Sequence, residues 1–124
     1  MARLKQITPF VPVNNLQKSI DFFENILGFE CTFRADNYAF IRRDNAALRI
    51  IEVDAHVDMK DEKREQSCYI DVEDIDALYA ELKPKLDALP EGRVRAPFNQ
   101  DYGQREFHVK DEDALLVFFG EGVK

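Results

Sequence analysis

The chain has 124 residues, of which 45% are hydrophobic and 33% charged, a composition typical of a globular domain with a hydrophobic core. Its formal net charge of −7 argues against a nucleic-acid partner, because binding to a phosphate backbone needs a basic surface. No stretch approaches the roughly 18 consecutive apolar residues of a membrane span, and MARLKQ leads into polar sequence without a signal-peptide apolar region. A cytoplasmic protein without membrane association is therefore expected.

The first half of the chain predicts one helix among four short strands. The helix is indicated by an apolar stripe at spacings of four, three and four, formed by Leu16, Ile20, Phe23 and Leu27. Asn14 or Asn15 can cap its start, and Gly28 can end it in the left-handed conformation that residues with a Cβ avoid. Runs rich in Ile, Val and Phe predict strands at Ile7 to Val13, Phe29 to Arg34, Tyr38 to Arg43 and Ala46 to Val53.

The second half repeats this order. VNNL at 13–16 returns as VEDI at 72–75, 59 positions later. Asp74 can cap the second helix, and Pro84 prevents its regular continuation for long. The other strands are predicted at Ser67 to Val72, Val94 to Phe98, Arg105 to Val109 and Ala114 to Gly120. The chain thus predicts two tandem βαβββ modules of the α+β class.

One domain over 1–124 is expected, with module one at about 1–55, a charged linker at about 56–66 and module two at about 67–124. The linker HVDMKDEKREQ has dense mixed charge and almost no apolar content, which predicts a solvated segment. Cys31 and Cys68 follow no metal-binding spacing and lie in apolar runs, so both are interpreted as reduced core thiols. A regulatory disulfide between them is the alternative.

Three segments of the chain resemble the vicinal-oxygen-chelate superfamily in their order and spacing. They are VNNLQKSIDFFENILGF, VEDIDALYAEL and YGQREFHVKDEDALLVFFGE. This superfamily includes glyoxalase I, extradiol dioxygenases, fosfomycin-resistance enzymes and bleomycin-resistance proteins. The resemblance covers essentially the whole chain and implies a cupped mixed β-sheet built from the two modules.

Metal-dependent members of that superfamily hold a divalent ion with His, Gln or Glu side chains from the first and last strands of each module. Counting from the matched segments places these positions at Thr8, Ser67, Phe118 and Ile50, or Arg49 one position off. Two weakly ligating hydroxyls, an aromatic ring and an alkyl group do not make a metal site. Neither a metal nor a cofactor is therefore expected.

In lacking these metal ligands the chain resembles the bleomycin-resistance branch of the superfamily. That branch binds its drug without a catalytic metal, in clefts at a homodimer interface. Its members often carry a stretch similar to WGxREF, which YGQREF at 102–107 matches except for its first residue. Cationic ligands with planar rings require stacking surface and negative potential. The candidate ligand-binding residues are Phe33, Tyr38, Phe40, Tyr69, Tyr102 and Phe118, and packing in an ordinary core is the alternative for each.

Other polar and proline residues near these motifs carry two interpretations each. Arg105 either makes a structural ion pair, which is favoured, or anchors a carboxylate or phosphate of a ligand. His108 is predicted to be a partly exposed strand histidine rather than a general base. Pro9 and Pro12 imply an edge strand or a hinge, and exchange of this strand between subunits, as in related dimers, would reconcile them with strand structure.

The favoured function is a metal-independent binding protein that sequesters a cationic or aromatic antibiotic-like small molecule at the interface of a homodimer. The alternative is a lyase, isomerase or transferase with displaced metal ligands that uses Glu52, Glu106 or His108. A third possibility is a housekeeping or regulatory protein for an unrelated small molecule, because one fold supports many activities.

Overall fold

The computed structural model describes residues 2–54, 56–59, 61–113 and 115–123. The strands are β1 (Phe10–Val13), β2 (Glu30–Ala35), β3 (Tyr38–Arg43), β4 (Ala46–Glu52), β5 (Gln66–Asp71), β6 (Val94–Asn99), β7 (Gln104–Lys110) and β8 (Leu115–Gly122). The helices are α1 (Leu16–Asp21), which continues as a π-helical segment (Phe22–Ile26), and α2 (Ile75–Leu86); a short 3₁₀ turn covers Glu62–Arg64. Among the described residues no helix is long and apolar enough to cross a membrane.

The strands form two four-stranded sheets with the same topology. The first sheet has the order β1-β4-β3-β2 and the second β5-β8-β7-β6. In each sheet the first and last strands of the module pair in parallel, and the other neighbours are antiparallel. The predicted repeat of strand, helix and three strands is therefore confirmed, and its mixed pairing occurs in two separate sheets.

Each helix is fixed to its own module by a carboxylate from the end of the last strand. Glu52 accepts a hydrogen bond from the backbone N–H of Leu16 at 2.8 Å. Glu121 accepts bonds from the N–H groups of Asp74 and Ile75 at 2.8 and 3.1 Å. These bonds satisfy donors that a helix start leaves without an intrahelical partner, and they place negative charge at the positive end of the helix.

The side-chain caps follow the predictions. Asn15, rather than Asn14, accepts from the N–H of Lys18 at 3.0 Å, and Asp74 accepts from that of Ala77 at 3.2 Å. Gly28 has the left-handed backbone expected at the end of the first helical segment, with a φ of +75°. These local signals were readable because a cap involves only residues close in sequence.

One face of each sheet packs against the helices and the other does not. The core side carries a continuous apolar cluster that includes Val11, Ile41, Ile50, Phe107 and Val117. Side chains alternate along a strand, so the next residues point to the opposite side. We call these opposite sides the first open face and the second open face, after the sheet to which each belongs.

The first strand is shorter than predicted, since it begins at Phe10 instead of Ile7. Residues 2–9 precede it without regular secondary structure, and the side chains of Leu4 and Ile7 are 100% and 91% exposed. The run of Ile, Thr and Pro indicated a strand, but backbone pairing begins only where β4 is alongside, with Pro9 O accepting from Arg49 N at 2.9 Å.

Two further predictions need correction. The linker is not solvated throughout, because Met59 is buried with 4% of its surface exposed. The free cysteines Cys31 and Cys68 are half-buried at the edge of the core instead of fully inside it. Burial, and then the nearby Asp111 carboxylate, raise the pKa of the Cys68 thiol to about 11, which keeps it protonated at neutral pH.

Asp111 is a buried carboxylate in the turn between β7 and β8. Its Oδ1 accepts hydrogen bonds from the N–H groups of Asp113 and Leu115 at 2.8 and 3.1 Å. Its Oδ2 has no hydrogen-bond partner among the described residues. Burial raises the pKa of this carboxyl to about 6, against the lowering effect of the two backbone bonds.

This pKa sets a sign for stability against pH. The folded chain keeps the Asp111 proton up to about pH 6, whereas the unfolded chain releases it near the ordinary pKa of 3.8. This group therefore lowers the free energy of unfolding as the pH rises from 3.8 to about 6. Asp111→Asn retains the oxygen acceptor and removes the titration. We expect the variant to be more stable at neutral pH by about 1–3 kcal/mol and to lose this part of the decline. Urea unfolding at several pH values measures it; parallel pH profiles for the two proteins would contradict the assignment.

Candidate functional site

The first open face presents aromatic rings around two arginines. Phe33 on β2 and Tyr38 on β3 have ring centroids 6.0 Å apart, and Phe40 lies on the same side of β3. The guanidinium carbon of Arg49 on β4 is 4.9 Å from the Phe40 centroid, and that of Arg42 is 5.6 Å away. The face therefore offers stacking surface together with positive charge.

The second open face carries a row of four rings that crosses the whole sheet. The row runs through Phe98 on β6, His108 on β7, Phe118 on β8 and Tyr69 on β5. Successive centroids are 5.3, 4.1 and 6.0 Å apart. The strand registers pair His108 with Phe118 and Phe118 with Tyr69. Phe98 is paired with Glu106, two residues from His108 on the same side of β7, and its ring still contacts that of His108. Such a row can stack against a planar ligand.

A fully buried carboxylate, Glu106, lies beside this row on β7. It accepts hydrogen bonds from the Tyr102 hydroxyl at 2.5 Å and from Gln100 Nε2 at 3.1 Å, and His108 Nε2 is 2.8 Å from its Oε1. Burial by itself raises the pKa of Glu106, but these hydrogen bonds outweigh it and lower the pKa to about 2. The second open face thus contains a fixed negative charge at neutral pH.

Gly120 on β8 makes room for the ring of Tyr69. A Cβ at this position would lie 1.8 Å from the Tyr69 hydroxyl oxygen, so the ring crosses directly over the glycine. The hydroxyl group then reaches Gln104 Oε1 at 3.2 Å. Burial, followed by the nearby Glu106 carboxylate, raises the pKa of Tyr69, which keeps this hydroxyl protonated.

A model of the Glyoxalase/Bleomycin resistance protein/Dioxygenase superfamily matches residues 3–119 of the chain. The chain belongs to this superfamily. A bleomycin resistance protein from Geobacillus stearothermophilus is 29% identical to it, over 96% of this chain and 98% of that protein. Among solved structures, a bleomycin-binding protein complexed with bleomycin has a TM-score of 0.80 at 23% identity and covers 96% of this chain and 99% of its own.

A second structure is a bleomycin-binding protein from bleomycin-producing Streptomyces verticillus complexed with copper(II)-bleomycin. It has a TM-score of 0.79 at 25% identity and covers 98% of this chain and 99% of its own. These similarities extend over nearly the full length of every chain compared. They confirm the predicted fold class, an α+β arrangement of two βαβββ modules.

The four positions at which the superfamily resemblance placed metal ligands do not fit a divalent ion in this chain. In the first module Arg49, not Ile50, is on the open face; Ile50 is fully buried in the core. Arg49 Nε donates to Thr8 Oγ1 at 2.8 Å, so a guanidinium and a hydroxyl meet there. The second module has Ser67 and Phe118. The guanidinium repels a divalent metal ion, the two hydroxyls are weak ligands, and the Phe118 ring has no donor atom. Among the described residues no three His, Cys, Asp or Glu side chains are grouped to hold a metal ion.

The six aromatic candidates divide between the two open faces. Phe33, Tyr38 and Phe40 belong to the first, and Tyr69, Tyr102 and Phe118 belong to the second or to the turn beside it. All six are at least partly exposed, and none is in the buried core. They therefore lie in two separate groups, one on each sheet of the chain, which the sequence did not distinguish.

Phe98 was not among the ligand-binding candidates predicted from the sequence, and the exposure of His108 was predicted incorrectly. His108 is only 9% exposed, because it packs between Phe98 and Phe118 and contacts Glu106. The prediction of a partly exposed histidine was wrong for this reason. His108 lies on the side of β7 opposite the buried Phe107 and Val109, as strand alternation requires, but alternation does not indicate that rings from two other strands cover it.

The groups suggested for catalysis have structural partners. Glu52 holds the start of α1, and the lowered pKa of Glu106 makes that carboxylate a poor proton acceptor. Arg105 forms an ion pair with Asp76 at 3.0 Å and also donates to Asn99, which agrees with the favoured structural interpretation.

Glu106→Gln should show how much the buried charge contributes to the free energy of unfolding. The substitution leaves donors facing an amide, and we expect a loss of about 1–3 kcal/mol in the free energy of unfolding at neutral pH. Because the folded pKa is lowered from 4.5 to about 2, the wild-type contribution is present above pH 4.5 and is lost as the pH falls towards 2. The variant should lack this acid-side loss in urea unfolding.

The control for this measurement is Tyr102→Phe, which removes one hydroxyl donor but leaves the charge. It should cost less stability than Glu106→Gln and keep the acid-side dependence. Equal stability of wild type and Glu106→Gln, both at neutral pH and as the pH falls towards 2, would refute the role of the charge.

Proposed function

We propose that the protein binds a bleomycin-like small molecule, cationic and with planar aromatic rings, and sequesters it without chemical change. The observation that carries this proposal is the row of four rings beside the buried, ionised Glu106 on the second open face. The aromatic rings of a ligand stack on such a row, and the nearby negative charge attracts a cationic group of the same ligand. The relatives named for bleomycin resistance and bleomycin binding support the same ligand class.

The row already holds one planar cation of the chain itself. The guanidinium carbon of Arg95 lies 3.6 Å from the centroid of Phe98, at the β6 end of the row. A flat, positively charged group is therefore compatible with the rings of this face. The net charge of −7 adds a long-range attraction for cationic ligands.

A homodimer is the proposed assembly, since each open face in one chain lacks a second wall to enclose a ligand. Both open faces carry exposed aromatic rings: Phe33 is 55% and Tyr69 40% exposed. The segment 2–9 carries the exposed apolar residues Leu4 and Ile7 and forms no strand with its own sheets. A second copy that packs over these surfaces, including the exposed apolar side chains of this segment, would bury them and close a cleft.

The proposed compartment is the cytoplasm. The cysteines Cys31 and Cys68 are both free, and a reducing compartment keeps thiols in that state.

Calorimetric titration of metal-stripped protein with metal-free and copper-loaded bleomycin tests ligand binding. We expect saturable binding near one drug per subunit and no uptake of zinc, nickel or manganese in separate titrations. Gly120→Ala should weaken drug binding about 10-fold or more, because the new Cβ displaces Tyr69 from the row.

Gly122→Ala is the matched control two residues further along β8. The nearest atom to its Cβ would be Gln104 Nε2 at 3.8 Å, an ordinary contact, so its drug affinity should equal that of wild type. Far-UV circular dichroism and urea unfolding establish that both variants fold. Absence of drug binding to the wild type, or equal binding by both folded variants, would count against the proposed site.

Light scattering after size-exclusion chromatography tests the dimer, for which twice the chain mass of 14.4 kDa is expected. The double variant Leu4→Ser, Ile7→Ser should shift the protein towards the monomer, because it removes apolar area from the exposed segment. Lys5→Ser, in the same segment, should leave the dimer intact. A monomeric wild type at micromolar concentration would exclude this assembly.

A further inference from the structure

Arg49 on the first open face is a half-buried cation, and its partners in the described part of the chain are uncharged. Its Nε donates to the Thr8 hydroxyl at 2.8 Å, and its Nη1 donates to the Tyr38 hydroxyl. Its guanidinium stacks over Phe40. These contacts hold the group in one orientation and leave its charge without compensation.

Three other arginines of the chain are paired with carboxylates. Arg43 pairs with Glu81 at 2.9 Å, Arg93 with Glu112 at 4.0 Å and Arg105 with Asp76 at 3.0 Å. In the described part of the chain no carboxylate oxygen lies within 4.0 Å of the guanidinium of Arg49. A partly desolvated charge is costly unless an opposite charge or an equivalent set of hydrogen bonds offsets it.

A second cation shares the same ring. Arg42 also stacks on Phe40, and among the described residues its donors reach Gln6 Oε1 and the backbone oxygen of Asp44, both at 3.1 Å. Glu30 is the neighbour of Arg42 across the β2–β3 ladder, but no ion pair forms between them. Two like charges beside one ring repel each other, and an anion bound between them would remove that repulsion.

We propose that Arg49, supported by Arg42, binds the anionic group of a ligand whose planar ring stacks on Phe33, Tyr38 and Phe40. A sulfonate, carboxylate or phosphate suits this arrangement, because a guanidinium offers several donors to an anionic oxygen group. This inference goes beyond the proposed function, since it concerns the other sheet and does not require bleomycin. Together, the two faces would suit an amphoteric aromatic molecule, with its anionic part on the first sheet and its cationic part on the second.

The test compares two probes that share a ring and differ in charge, naphthalene-1-sulfonate and 1-naphthalenemethanol. Their affinities are measured by fluorescence titration at constant ionic strength, since salt screens the charge term. We expect wild type to bind the sulfonate about 10-fold or more tightly than the alcohol, the scale of a charge-assisted hydrogen bond.

Arg49→Gln should abolish this preference and leave the affinity for the alcohol unchanged, whereas Arg49→Lys should keep part of it. Tyr38→Phe removes the hydroxyl that holds Nη1 and should reduce the preference about 2- to 5-fold without changing any charge. Arg95→Gln, which removes a stacked arginine from the second sheet, is the matched control and should keep the full preference.

Equal affinity of wild type for the two probes, or an undiminished preference in folded Arg49→Gln, overturns the inference. Either result leaves the bleomycin titration unaffected, because that titration reports on the second open face through Gly120. Conversely, a charge preference that depends on Arg49 in a protein that ignores bleomycin supports the anion site and refutes the drug-binding proposal.

Discussion

Side chains alternate between two faces along every strand, and in this chain one face of each sheet packs against the helices. Because all eight strands contribute one face to a single apolar core, the other face is left to carry polar and aromatic residues. The registers β1–β4 and β5–β8 are parallel, so the first and last strands of a module lie side by side. This pairing brings Thr8 to Arg49 in the first sheet and Tyr69 to Phe118 in the second.

The two carboxylates buried around β7 behave in opposite ways for one reason. Glu106 and Asp111 are both shielded from water, and burial alone raises the pKa of each. Glu106 has side-chain donors on both oxygens and stays ionised, whereas Asp111 has backbone donors on only one oxygen and binds its proton more tightly. The number of donors, not the depth of burial, therefore decides which of them provides a permanent charge.

The modules repeat the same fold but have diverged in charge on their open faces. The ladder neighbours of Phe40 and His108 are Arg49 and Phe118, at equivalent places in the two sheets. The first module thus has a guanidinium where the second has a ring, and the buried Glu106 belongs to the second alone. Duplicated scaffolds can in this way supply two chemically different walls to one ligand, provided that an assembly brings the walls together.

The sequence by itself determined the repeat, the helix caps and the fold class, because these depend on periodicity and on contacts between near neighbours. It also predicted correctly that Arg105 makes a structural ion pair, although not that the partner is Asp76. Only the tertiary structure decided that the six aromatic candidates occupy two faces, that His108 is covered, and that Tyr69 lies over Gly120. These features arise from strand registers and from packing between residues far apart in the chain, and local sequence patterns do not encode which distant residues meet.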